Sequence, residues 1–103
     1  MPKGEYCQVA VMAGEAIIAE FYTPLGVKKE FRNWRDQRAT LEKDYVSWRK
    51  TREWQERLYP NRHWESAFLL EKFIAELLNA GWEFCANQPI SYNAYLIFRR
   101  QSE

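Results

Sequence analysis

The sequence predicts a small α+β domain: a four-stranded, mainly antiparallel sheet packed with two helical segments, in the order β-β-α-α-β-β. Three observations lead there. Apolar residues alternate with period two near both ends of the chain, they recur at three- and four-residue steps through two interior stretches, and Gly or Pro punctuates these runs. A chain of 103 residues can bury one core but not two, so residues 1–103 are expected to form a single domain.

In "YCQVAVM", Cys7, Val9 and Val11 share one side while Gln8 falls on the other, as on a half-buried strand. "AIIAEFY" follows Ala13-Gly14-Glu15, where Gly14 can take the positive φ of a tight turn. Residues 5–22 therefore read as a hairpin, stopped by Pro24 and Gly26. No Gly or Pro occurs from Val27 to Tyr59, and Phe31, Trp34, Leu41, Tyr45 and Trp48 form a helical stripe. Residues 27–59 are expected to be a long or broken amphipathic helical insertion, bending or dividing near Arg38-Ala39-Thr40, where the stripe has a polar break. Unbroken, such a helix would reach ~45 Å at ~1.5 Å per residue. It must project, or break and fold back. Pro60 and Asn61 close the segment.

The stretch "ESAFLLEKFIAELLNAGW" puts Ala67, Leu70, Ile74 and Leu77 on one face, with Phe73 and Leu78 flanking and Gly81 as the stop. "WEFCANQ" and "AYLIFRR" read as two more strands around the turn-rich "PISYN". Cys7 falls on the first strand and Cys85 on "WEFCANQ", and both are expected to be reduced and buried. Four acidic or amide residues, Glu5, Gln8, Glu15 and Glu20, interrupt the apolar start too often for a signal peptide or a membrane span. The expected location is the cytoplasm, without membrane contact.

Charge is polarised along the chain. Residues 28–62 hold eleven basic against six acidic side chains, +5, and the remainder holds four against eight, −4. A nucleic-acid surface could use Arg49, Lys50 and Arg52 with Trp48 or Trp54 stacking on bases. The interleaved acids, for example Glu53 four residues from both Arg49 and Arg57, instead describe a solvated helix face.

Candidate chemistry is sparse. His63 is the lone histidine, and no Cys or carboxylate spacing proposes a metal site with it. A Cys-His pair with Cys7 or Cys85 would need a reactive thiol, which an apolar strand does not favour. Glu83, between Trp82 and Phe84, alternates away from that apolar pair toward solvent. The four glycines form no phosphate-binding loop. No catalytic residue, metal or cofactor is expected.

The segment "LLEKFIAELLNAGWEFCANQPISYNAYLIFRR" resembles the domain of unknown function 4177 family of small bacterial domains. The likeness lies in a helix ending in Leu-Leu-x-x-Gly-Trp-Glu, a strand, a turn and a closing "YLIFRR" strand. It covers roughly the last third of the chain plus the first strand. It implies the β-strand, helix, two-strand fold of that family and supplies no catalytic residues, and residues 27–62 stand outside it as an insertion.

The expected function is that of a non-catalytic accessory or regulatory protein that binds another protein through an aromatic and basic helical surface. The candidate contact residues are Trp48, Arg49, Arg52, Trp54, Arg57 and Tyr59, which have the Trp/Arg/Tyr chemistry of interface hot spots. The matching partner carries an acidic, partly apolar surface. A nucleic-acid-binding module using residues 28–62 is the alternative, a small-molecule enzyme a distant third, and homo-oligomerisation stays open.

Overall fold

A computed structural model describes residues 3–12, 15–58, 64–90 and 93–102. Five strands form one antiparallel sheet: β1 (Lys3–Met12), β2 (Ala16–Thr23), β3 (Gly26–Asn33), β4 (Glu83–Ile90) and β5 (Asn93–Ser102), in the spatial order β3-β2-β1-β5-β4. Among the described residues three helices lie between β3 and β4: α1 (Trp34–Lys50), α2 (Glu53–Leu58) and α3 (Trp64–Asn79). The expected α+β class holds, while the order is β-β-β-α-α-α-β-β, with one strand and one helix more than predicted.

The additional strand is the first part of the segment read as helix. Residues Gly26–Asn33 pair along their length with β2, from Thr23 opposite Gly26 to Ala16 opposite Asn33. Gly26 has φ +126, a backbone region that favours glycine, and follows the turn at Pro24-Leu25. Pairing with a ready-made hairpin edge overrides a helical pattern that Phe31 only appeared to begin. Helix starts where Asn33 caps it, its side chain accepting a hydrogen bond from the Arg35 backbone N–H at 2.8 Å.

α1 then runs unbroken through Arg38-Ala39-Thr40, where a bend was expected, because Arg38 points outward and pairs with Glu42 one turn on. The division comes at Thr51. Its N–H and hydroxyl both donate to the Trp48 carbonyl, and the Arg52 N–H donates to Arg49, so the last turn tightens and ends. The chain folds back, and α3 packs on α1, β1 and β2.

α3 closes as predicted, with Gly81 at φ +90, the Gly81 N–H donating to Leu78 and the Trp82 N–H to Leu77, a Schellman cap. Gly81→Ala is expected to lose about 1–2 kcal/mol, the cost of a left-handed non-glycine residue. A Cβ there would meet only Arg100 Cδ at 3.9 Å, so strain rather than collision sets the effect. Urea denaturation of the variant checks this; an unchanged midpoint would show that the cap relaxes.

The core lies between the sheet and the helices and contains Cys7, Val9, Ile17, Ala19, Trp34, Tyr45, Trp64, Phe68, Leu69, Phe73, Leu77, Trp82 and Phe98. The buried stripe of α3 is rotated from the predicted one: Phe68, Leu69, Phe73 and Leu77 are buried, Leu70 and Ile74 are partly so, and Leu78 is exposed. Cys7 is fully buried and Cys85 is exposed, both as free thiols. The burial expected of Cys85 fails because β4 is an edge strand whose pairing slips between Phe84 and Ala86, leaving Cys85 in the bulge. β4 also continues through Pro89-Ile90, a stretch read as turn, since an edge strand tolerates proline.

Among the described residues no helix lies over the opposite face of the sheet. Register places Tyr6, Gln8, Ala10 and Met12 of β1 there, beside Ile18, Glu20 and Tyr22 of β2 and Val27, Lys29 and Phe31 of β3. No helix among the described residues is long and apolar enough to cross a membrane.

Candidate functional site

The predicted contact residues divide into two groups. Trp48 sits among aromatic rings, stacked on Tyr45 with centroids 6.1 Å apart and tilted or edge-on to Phe68 at 5.3 Å and Trp64 at 5.9 Å. Its indole N–H donates to Glu71 at 2.9 Å. Arg52 lies over the Trp48 ring at 4.7 Å and binds the same Glu71 carboxylate through both oxygens, at 2.9 and 3.1 Å. Arg49 donates to the Tyr45 hydroxyl at 3.4 Å and covers Trp64 at 5.8 Å. These three residues brace the end of α1 against α3.

Trp54 stands apart from these, beside Leu58, which the sequence-based site did not include. They are one turn apart on α2 and among the most exposed large apolar side chains, at 60 and 64%. Val46, also exposed, borders a crease of about 260 Å³ shared with Lys50 and Glu53, at the junction of α1 and α2. The result is an apolar tip flanked by Lys50 and Glu53. The side chain of Arg57, and all of Tyr59, lie outside the described residues, as does His63.

A second concavity, about 430 Å³, is lined by the β2–β3 turn, by Trp82 and by the paired Glu5 and Arg100 of β1 and β5. Phe21 and Trp82 form apolar walls, their rings edge-on at 5.7 Å, and Glu5, Lys28, Glu30 and Arg100 contribute charge. Arg100 does most to organise it, donating to Glu5 and to the Ala80 carbonyl, both at 3.2 Å, while its guanidinium covers Trp82 at 4.5 Å. A cation at the carboxyl end of α3 also complements the helix dipole. The cleft is absent from the sequence-based site, although a signal exists: Glu5 alternates in phase with Cys7 and Val9, and Arg100 with Phe98, so charge occupies the buried phase of two strands. Glu83 faces the other side and pairs with Arg99 at 3.7 Å, in the outward orientation expected for it.

Chemistry at the thiols is asymmetric. Burial, together with the nearby Glu30 carboxylate, pushes the Cys7 thiol from 9.0 up to about 12, so it is protonated and inert at neutral pH. Between about 9 and about 12 the unfolded chain releases this proton and the folded chain keeps it, so stability falls as pH rises through that window. Urea midpoints across this range should therefore drop more steeply for the natural chain than for Cys7→Ala. Parallel slopes would contradict the assignment. In the folded protein at neutral pH, a thiol reagent should label Cys85 and spare Cys7. Among the described residues no group of three His, Cys, Asp or Glu side chains could hold a metal ion.

No family model, no curated protein and no solved structure matches this chain.

Proposed function

We propose that this is a non-catalytic accessory or regulatory protein of the cytoplasm that binds another protein through the tip formed by α2 and the end of α1. The observation that carries the reading is the exposure of Trp54, 60%, beside residues of similar chemistry that are committed to internal contacts. Trp48, Arg49 and Arg52 hold the platform, and Trp54 and Leu58 make the contact; Arg57 and Tyr59 belong to the contact set that the sequence proposes. An exposed tryptophan loses little entropy on docking and offers a large apolar surface. Lys50 and the basic excess of residues 28–62 suit an acidic rim on the partner, with charge steering the encounter and the buried rings retaining it.

The test is recovery of partners by the intact protein and by Trp54→Ala. Truncation of a contact of this kind costs about 2 kcal/mol or more in binding, whereas stability should change by under ~0.5 kcal/mol. Lost recovery with unchanged melting supports the reading, and unchanged recovery overturns it. Binding that collapses on a modest rise in salt, with nuclease-sensitive material recovered, identifies phosphate contacts and favours the nucleic-acid alternative.

A further inference from the structure

The uncovered sheet face is larger than the α2 tip and differently composed. Register lays its side chains in rows across the strands, taken here in the order β3, β2, β1, β5. One row is Phe31, Ile18, Ala10 and Tyr95; the next is Lys29, Glu20, Gln8 and Ile97; the third is Val27, Tyr22, Tyr6 and Arg99, continued on β4 by Glu83. Phe31 is 54% exposed and Tyr6 51%, with Val27, Tyr22 and Met12 also exposed. Five strands at ~4.8 Å and eight to ten residues at ~3.4 Å span roughly 700 Å². That is close to the ~800 Å² each partner contributes to a stable interface.

The charges on this face select the occupant. They sum to zero and alternate strand by strand: Lys29 on β3, Glu20 on β2, Arg99 on β5 and Glu83 on β4. A nucleic-acid surface would be basic, and this one is balanced. Consider a second copy turned about a two-fold axis parallel to the strands and passing over β1. It lays β3 over β4 and β2 over β5, bringing Lys29 against Glu83 and Glu20 against Arg99, each one pleat apart. Ile18 then meets Tyr95, and Tyr6 meets its own copy. A two-fold perpendicular to the strands and passing over the row of Lys29 and Glu20 would put each strand over itself and oppose like charges. We propose that this face is the interface of a homodimer in which a second copy packs sheet to sheet about the strand-parallel axis, leaving the α2 tip of each copy free.

Sedimentation equilibrium of the full chain tests this directly. The natural protein should be a dimer at micromolar concentration. Phe31→Glu should yield a folded monomer with an unchanged circular dichroism spectrum, and Lys29→Glu should weaken association about tenfold or more by placing like charges one pleat apart across the interface. Adding Glu83→Lys to Lys29→Glu should restore the dimer, and Trp54→Ala should dimerise like the natural chain. A monomeric natural protein, a dimer indifferent to Phe31→Glu, or a double variant no tighter than Lys29→Glu alone would overturn the proposal. So would a monomer that retains single-stranded nucleic acid through Tyr6 and Phe31. Because Trp54 lies on a different surface, failure here leaves the partner-binding reading to its own experiment.

Discussion

Phe68→Ala is expected to destabilise the protein by about 3–5 kcal/mol, a large part of the 5–15 kcal/mol typical of a whole domain. Phe68 is 2% exposed, and its ring lies 5.9 Å from Trp34, 5.3 Å from Tyr45 and 5.3 Å from Trp48. Three aromatic partners on one side chain cannot all close the void left by its removal, so a cavity adds to the lost burial. Lys72 also lies over the ring at 5.5 Å and loses that contact. The urea midpoint should fall sharply with an unchanged slope; a loss under about 1 kcal/mol would show that the cluster repacks.

Trp82→Ala should be nearly as damaging, again about 3–5 kcal/mol, through a different mechanism. Trp82 is buried immediately after the α3 cap and packs edge-on to Phe21. It also supports the Arg100 guanidinium that ties Glu5 of β1 to the end of α3. Losing the ring therefore frees a charged pair as well as creating a cavity. Trp82→Phe should recover most of the stability, since it keeps an aromatic body in the same wall. If Trp82→Phe is as destabilised as Trp82→Ala, shape at this position matters more than burial.

Local signals in the sequence agree with the structure wherever local physics governs. The period-two pattern around Cys7 and Val9, the glycine stop at Gly81 and the strands flanking the last turn all match. β3 was not legible because its helix-side positions carry Lys28, Glu30 and Arg32. Arg32 is accommodated there by Glu30, two residues before it on the same strand, and by Glu76 and stacking over Phe73 at 4.6 Å, the last two being contacts that only tertiary folding brings together. The same limit applies to the candidate site. Density of Trp and Arg marked the stretch correctly as unusual, but spacing alone could not separate Trp48, whose N–H finds Glu71 on another helix, from Trp54, which stays exposed. The uncovered sheet face was equally hidden, since both long helices choose one side and nothing local records which.

Site-specific photo-crosslinking in the native host tests the central claim most directly. A photoreactive aromatic residue in place of Trp54, on the full-length chain, is expected to give one discrete protein adduct that is stable to nuclease. The same residue at Arg38, 65% exposed on α1 and paired with Glu42 of the same helix, should give none. No adduct at position 54, a nuclease-sensitive one, or the same adduct from both positions would contradict a protein-binding tip centred on Trp54.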